Sequence, residues 1–216
     1  MKHVGSRIVI TSLLGLTAMG MNGCPNTMSG VTGNTNTNGG ANTNTNTNTN
    51  MNTSGASMSA EELQLAMDAL TAINNHRAGK SLPAYTWYAA GANVGYAHCL
   101  AMEAGSFFEH VDPNTGKDPA TRALDAGIMH DPDGTIDPTS GNPFVGENLY
   151  MAVNAGLTGQ DAVDAWVTSP GHHTQLDAPM PVSGAQTMPA WTHCGIGVRR
   201  NGGNVWYTAM FFRNPN

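Results

Sequence analysis

Hydrophobic residues are concentrated in two parts of the chain, a short run near the N-terminus and a longer region that begins near residue 59. The short run spans residues 8–21, follows two basic residues and ends just before Cys24. A basic start, a short apolar core and a small residue at its end are typical of an export signal. About 14 apolar residues fall short of the roughly 20 that a membrane-spanning helix needs. We therefore predict that residues 1–23 are a signal peptide.

The segment between these two regions is polar and repetitive. It consists mainly of Asn, Thr, Gly and Ser, with alternating Asn and Thr from Asn42 to Asn50. Such a segment cannot bury enough apolar surface to offset the entropy lost on ordering, so we interpret residues 24–58 as a disordered linker. Cys24 stands where bacterial lipoproteins carry their lipidated cysteine, and Met21-Asn22-Gly23-Cys24 resembles a lipobox. We predict an extracytoplasmic lipoprotein, with ordinary cleavage and secretion as the alternative.

The longer region predicts helices first. Ser59 and Glu62 form a capping-box pattern that starts a helix ending near Gly79. Apolar residues follow this start at helical spacing, namely Leu63, Met67, Leu70 and Ile73. We predict a second helix from about Trp87 to Gly105, with Val94, Ala97, Ala101 and Met102 buried, and a third over Asp161 to Thr168, ended by Pro170-Gly171.

The C-terminal part predicts a β-hairpin. Two apolar stretches, residues 194–198 and 205–212, flank the turn Asn201-Gly202-Gly203-Asn204. Helices followed by an antiparallel hairpin indicate an α+β fold in one domain, residues 59–216.

Charge and cysteine content narrow the classes of function. The net charge is −6 and there is no basic cluster, which argues against nucleic-acid binding and against any membrane contact beyond the lipid anchor. We expect a monomer. Besides Cys24 the chain has only Cys99 and Cys194, and an exported domain meets oxidising conditions. We predict a disulfide between them, with two buried free thiols as the alternative.

Three short segments of the domain carry two histidines and a carboxylate beside glycine or proline. They are His110-Val111-Asp112-Pro113, Gly146-Glu147-Asn148-Leu149 and Ser169-Pro170-Gly171-His172. With Ile73-Asn74-Asn75-His76-Arg77, Trp166 and Gly195-Ile196-Gly197-Val198 in the same order, the chain resembles the CAP superfamily, and in particular its bacterial SCP-like extracellular members.

The resemblance implies a three-layer α-β-α sandwich with a small antiparallel sheet and a surface cleft. It also implies that His110, Glu147 and His172 line this cleft and bind a divalent cation, often zinc, as in several members. Ser169 stands where many eukaryotic members have a second glutamate, so one carboxylate of that pattern is missing. We expect Arg122, Asp112 and Asp118 to brace the loop after His110 rather than to contact a ligand.

The residues themselves are chemically suited to such a site. Two imidazoles and one carboxylate can hold a tetrahedral zinc ion and leave one position open for water. The alternative is a hydrogen-bonded polar network that fixes the loops without any metal.

Three functions are compatible with this sequence. The first, suggested by the resemblance, is a surface-tethered binding domain for a small apolar or lipid ligand. The second is a hydrolase that uses Ser169, His172 and Glu147 as a serine-type triad, or a metal-activated water at His110 and His172. The third is an envelope-structural or adhesion protein with an inactive cleft.

Overall fold

The structure is a computed structural model that describes residues 8–13, 57–128, 145–153, 158–178 and 191–213, the first of these by its backbone alone. Cys24 and nearly all of the predicted linker, up to residue 56, lie outside the described residues. Among the helices of the described part, none has the length and apolar character needed to cross a membrane.

The first helix, α1 (Ala60–Gly79), begins where the sequence predicts. Ser59 and Glu62 form the capping box, each accepting a hydrogen bond from the other's backbone N–H. Leu70 and Ile73 are buried as predicted, whereas Leu63 and Met67 are exposed. Small residues, among them Ala66 and Ala69, complete the buried face. The physical reason is a close approach between backbones, since a Cβ at Gly159 would lie 2.3 Å from the Ala69 nitrogen.

Four further helices follow: α2 (Ala89–Gly105), α3 (Pro119–Asp125), α4 (Gly159–Thr168) and α5 (Pro170–Leu176). In α2 Val94 and Met102 are buried as predicted, whereas Ala97 is exposed. The predicted stop at Pro170-Gly171 does end α4, but a new helix starts there. Proline at the first helical position costs no hydrogen bond, so Pro119 and Pro170 can each begin a helix.

The sheet has five strands in the order β1-β3-β5-β4-β2 within the described residues. The strands are β1 (Ile8–Leu13), β2 (Thr86–Trp87), β3 (Val145–Val153), β4 (His193–Asn201) and β5 (Asn204–Phe212). All neighbours are antiparallel except β2 and β4, so the predicted antiparallel sheet is in fact mixed. The hairpin β4–β5 is confirmed, with its turn at Gly202 in the left-handed region at φ +59.

Helices cover both faces of this sheet, which confirms the α-β-α sandwich. The larger core lies on the side of α1 and α4 and includes Trp166, Ile196 and Tyr207. On the other side, α2 packs so closely on β4 that a Cβ at Gly197 would lie 1.9 Å from the Tyr96 nitrogen. Glycine is therefore required on both sides of this contact, at Gly197 in β4 and at Gly95 in α2. At Gly95 it is required even though glycine has a low helix propensity.

The predicted disulfide is not formed in this structure. Cys99 and Cys194 are buried free thiols, and they belong to core clusters on opposite sides of the sheet. Cys99, on α2, contacts the Thr208 hydroxyl at 3.2 Å, whereas Cys194 belongs to the core on the α1 side. Burial raises the pKa of Cys99 to about 12 and also raises that of Cys194, so neither thiol ionises at neutral pH.

Candidate functional site

The centre of the site is the carboxylate of Glu147, which is completely buried in β3. Its Oε1 accepts a hydrogen bond from His110 Nδ1 at 2.8 Å, and its Oε2 accepts one from Arg122 Nη2 at 2.5 Å. Both oxygens therefore have a partner supplied by the protein. Paired in this way, a charge can be buried without the full cost of its desolvation.

Arg122, on α3, joins the carboxylate to the loop that carries His110. Its Nη1 donates to the backbone oxygens of His110 at 2.8 Å and of Lys117 at 2.9 Å. Asp112 turns the same loop, accepting from Asn114 N at 2.8 Å, and Asp118 caps α3 through Thr121 N at 2.7 Å. These contacts bear out the expected bracing by all three residues, and the bond from Arg122 to Glu147 adds an electrostatic role that the sequence did not indicate.

The pair with Arg122 keeps Glu147 ionised. Burial by itself raises the pKa of Glu147, but the charge of Arg122 and the hydrogen bond from His110 outweigh it and lower the pKa from 4.5 to about 2. Glu147 is thus a permanent anion at neutral pH, and it favours the tautomer of His110 with the proton on Nδ1. The opposite ring nitrogen, Nε2, is buried and has no hydrogen-bond partner among the described residues.

His172 lies at the start of α5, and its ring is oriented by Ser169. Its Nδ1 is 2.6 Å from Ser169 Oγ. Ser169 is also the N-cap residue of α5, yet its hydroxyl makes no capping hydrogen bond. The backbone oxygen of His172 accepts from Asn148 Nδ2 at 3.1 Å, which ties α5 to the strand residue that follows Glu147.

The far end of α5 is held by a buried cation, Arg77. Its Nη1 donates to the Leu176 oxygen at 2.6 Å and to the Tyr85 hydroxyl at 2.7 Å, and Tyr85 in turn donates to the Gln175 oxygen at 2.6 Å. A positive charge at a helix C-terminus interacts favourably with the unpaired carbonyls there. Sequence reasoning missed this contribution of Arg77 and Tyr85, although Arg77 was within a motif of the family resemblance.

Four consecutive residues of β3 organise both histidine segments. Glu147 binds the His110 side, and Asn148 binds the His172 side. Leu149 accepts from Trp166 Nε1 at 2.9 Å, and a Cβ at Gly146 would lie 2.4 Å from Gln175 Oε1. Because successive side chains of a strand point to opposite faces, Glu147 and Asn148 leave β3 on opposite faces, Glu147 to the His110 side chain and Asn148 to the backbone of His172.

This arrangement changes the predicted division of roles. Glu147 orients His110 rather than His172, so the predicted triad of Ser169, His172 and Glu147 is not assembled in this structure. Over the described ranges, no group of three His, Cys, Asp or Glu side chains is placed to hold a metal ion.

Comparison with solved structures identifies the architecture. An extracellular protein containing an SCP domain from Bacillus anthracis matches with a TM-score of 0.53 and 20% identity, over 73% of this chain and 45% of that one. An outer surface protein from Borrelia burgdorferi matches with a TM-score of 0.51 and 14% identity, over 72% of this chain and 94% of that one. The chain has the SCP fold.

By sequence alone, the chain has no comparable match. No protein-family model matches the chain, and no curated protein is significantly similar to it in sequence. The chain also spans less than half the length of the Bacillus protein. What this chain shares with the two structures is therefore the arrangement of the backbone.

We expect Glu147→Gln to alter the acid stability of the domain. A pKa lowered from 4.5 to about 2 corresponds to roughly 3 kcal/mol at about 1.4 kcal/mol per pH unit. Because the folded pKa is the lower one, this stabilisation is complete above pH 4.5 and is lost as the pH falls towards 2. Urea unfolding of the full chain at pH 7, 4.5, 3 and 2 measures it.

In this series E147Q should be less stable than the wild type at pH 7, since Arg122 loses its partner, and should depend less on pH below 4.5. Glu61→Gln is the matched control, because Glu61 is 69% exposed and its pair with Arg200 contributes little. Parallel pH profiles for wild type and E147Q would contradict the assignment.

Proposed function

We propose that this protein is an exported, envelope-tethered SCP domain that binds a divalent cation, zinc, and a small apolar or lipid ligand at the site around Glu147. The leader and linker predicted from the sequence support export and tethering. Of the two similar structures, one is of an extracellular protein and the other of an outer surface protein, which supports the same location.

The observation that carries the metal proposal is the state of His110. Its Nδ1 is fixed by a buried anion, and its Nε2 is buried without a hydrogen-bond partner in the described part of the chain. Metal-binding histidines commonly have this arrangement, with a carboxylate on the nitrogen that does not bind the ion. A buried nitrogen with no partner is costly, and coordination of a cation would remove that cost.

His172 would supply the second ligand through Nε2, since Ser169 engages its Nδ1. Glu147 would then act on the ion through His110 and not as a ligand, because both of its oxygens are taken. Two imidazoles are one protein ligand fewer than catalytic zinc sites use. We therefore propose weak binding, with the remaining positions open to water or to a ligand.

Zinc titration of the full-length chain by calorimetry tests this site. We expect His110→Ala to reduce affinity by at least about tenfold, and Glu147→Gln to reduce it by about 10- to 100-fold through loss of orientation. His173→Ala is the matched control, because this neighbour of His172 is 42% exposed and lies against the Pro170 oxygen and Asp177. Equal zinc uptake by wild type and H110A would refute the metal site. Uptake should also fall on acidification, because an imidazole must be neutral to coordinate.

An apolar rim beside His110 supports the second part of the proposal. Phe107 and Phe108 are partly buried, and Val111 is 42% exposed on the loop that holds His110. Apolar side chains beside a few fixed polar groups are typical of sites for small ligands.

Mass spectrometry of lipids extracted from the exported protein tests the apolar ligand. We expect Val111→Asp to remove most of the lipid recovered with the wild type, because a charge would be placed on the rim. Leu63→Asp provides the control, since Leu63 is equally exposed, at 43%, on α1. If the wild type carries no more lipid than V111D, the apolar-ligand proposal fails. Failure of the zinc and lipid tests together would favour the structural or adhesive role.

A second candidate function is hydrolysis, favoured by the contact between Ser169 and His172. The Ser169 hydroxyl forgoes the capping of α5 and lies 2.6 Å from His172 Nδ1. A serine N-cap typically contributes about 1 kcal/mol, so its diversion to an imidazole has a cost. In this candidate, His172 would accept the hydroxyl proton while Ser169 Oγ attacks an acyl carbon, and would return that proton to the alcohol or amine that leaves. Water would then hydrolyse the acyl-enzyme and restore the Ser169 hydroxyl.

A fluorophosphonate probe distinguishes this candidate from the first. An activated Ser169 should be labelled in the full chain, and the label should be absent from Ser169→Ala and from His172→Gln. Labelling is read by mass spectrometry of the peptide that contains residue 169. No label on the wild type would leave the contact as a local structural hydrogen bond and exclude the serine route.

A further inference from the structure

The outer edge of β3 is occupied by a segment of the chain's own leader. Strand β1 pairs antiparallel with residues 147–152, from Leu13 opposite Glu147 to Ile8 opposite Ala152. On its other side β3 pairs with β5 along its whole length. Thus β1 is the terminal strand of the sheet, and β3 becomes the terminal strand wherever β1 is absent.

The occupant of this edge is the part of the chain that the sequence predicts to be removed on export. Residues 8–13 lie within the apolar run of the predicted signal peptide, residues 1–23. After its removal the backbone N–H and C=O groups on this side of β3 would lose their strand partner. Such an edge pairs readily with another extended chain.

The edge lies beside the histidine site. Leu13 is opposite Glu147, which binds His110, and α5, which carries His172, packs next to β1. Helix α5 therefore lies beside the position that β1 takes, and Glu147 is on the strand next to it. An extended chain in this position would run past both.

We propose that the edge of β3 at residues 147–152 is an acceptor site for an apolar peptide strand of another protein, which adds antiparallel to β3. The seated segment defines the chemistry of the partner. Its sequence, Ile-Val-Ile-Thr-Ser-Leu, is uncharged, largely apolar and rich in β-branched residues, which favour extended structure. Main-chain hydrogen bonds supply the affinity in such strand addition, and alternate side chains supply the specificity. The proposal depends on neither zinc nor catalysis.

The test uses two full-length variants, each with two prolines at alternate positions of β1, and the positions are shifted by one residue between the variants. One carries Val9→Pro and Thr11→Pro, and the other carries Ile10→Pro and Ser12→Pro. Alternate residues of a terminal strand direct their N–H towards the neighbour or towards solvent, so only one pair removes hydrogen bonds to β3. That variant frees the edge, and the other is its matched control.

The probe is a fluorescein-labelled peptide with the sequence of residues 6–15, followed by fluorescence anisotropy. The edge-freed variant should bind it at least about tenfold more tightly than the wild type, in which the tethered β1 competes at high effective concentration. The control variant should behave as the wild type does. Peptides N-methylated at positions 9 and 11, or at 10 and 12, complete the design. The peptide N-methylated at the same two positions as the proline pair that frees the edge should bind about tenfold more weakly or worse. The other N-methylated peptide should bind as the unmodified one does.

Three results would overturn the proposal. The first is that neither proline variant gains peptide binding. The second is equal binding of both N-methylated peptides, which would show apolar adsorption without backbone pairing. The third is a proline variant that is dimeric by light scattering and takes no peptide, which would assign the edge to a second copy of the chain.

Discussion

The buried carboxylate of Glu147 connects the parts of the molecule on which the site depends. It reaches α3 through Arg122 and the following loop through His110, while its own backbone is held in the middle of the sheet. A lone carboxylate would not remain ionised in such a place, because burial raises its pKa. Here the adjacent guanidinium reverses the effect, and the anion becomes the fixed point around which a histidine is oriented.

The second half of the site is built by backbone contacts at both ends of α5. Asn148 holds the His172 oxygen at its start, and Arg77 binds the last carbonyls at its end. A helix of seven residues has little stability of its own, so these contacts from β3 and α1 decide its position. Among the described residues, no carboxylate forms a salt bridge with Arg77. Its charge is compensated by carbonyl oxygens, the Tyr85 hydroxyl and the face of the Tyr85 ring, whose centroid is 3.7 Å from Cζ.

The elements that sequence reasoning located correctly are those with strong local signals. The capping box at Ser59, the Asn-Gly-Gly-Asn turn and the apolar stretch of β5 each depend on residues close together in the sequence. Leu63 and Met67 were placed on the wrong face of α1 because helical spacing gives the period of a stripe but does not say which stripe meets the core. The close contact at Gly159 selects the alanine face, and that contact is between residues far apart in sequence. The short helices α3 and α5 were missed because each begins with a proline, and proline in a sequence is more often taken as the end of a helix.

The sequence by itself determined the α+β class and the three segments that carry His110, Glu147 and His172, because glycine, proline and capping residues constrain the backbone locally. Only the tertiary structure decided that Glu147 pairs with Arg122 and His110, and that His172 pairs with Ser169. It also decided that Cys99 and Cys194 lie on opposite sides of the sheet as separate free thiols. Pairings of this kind follow from which strands become neighbours and which face each side chain takes. Neither is encoded in the spacing of the residues along the chain.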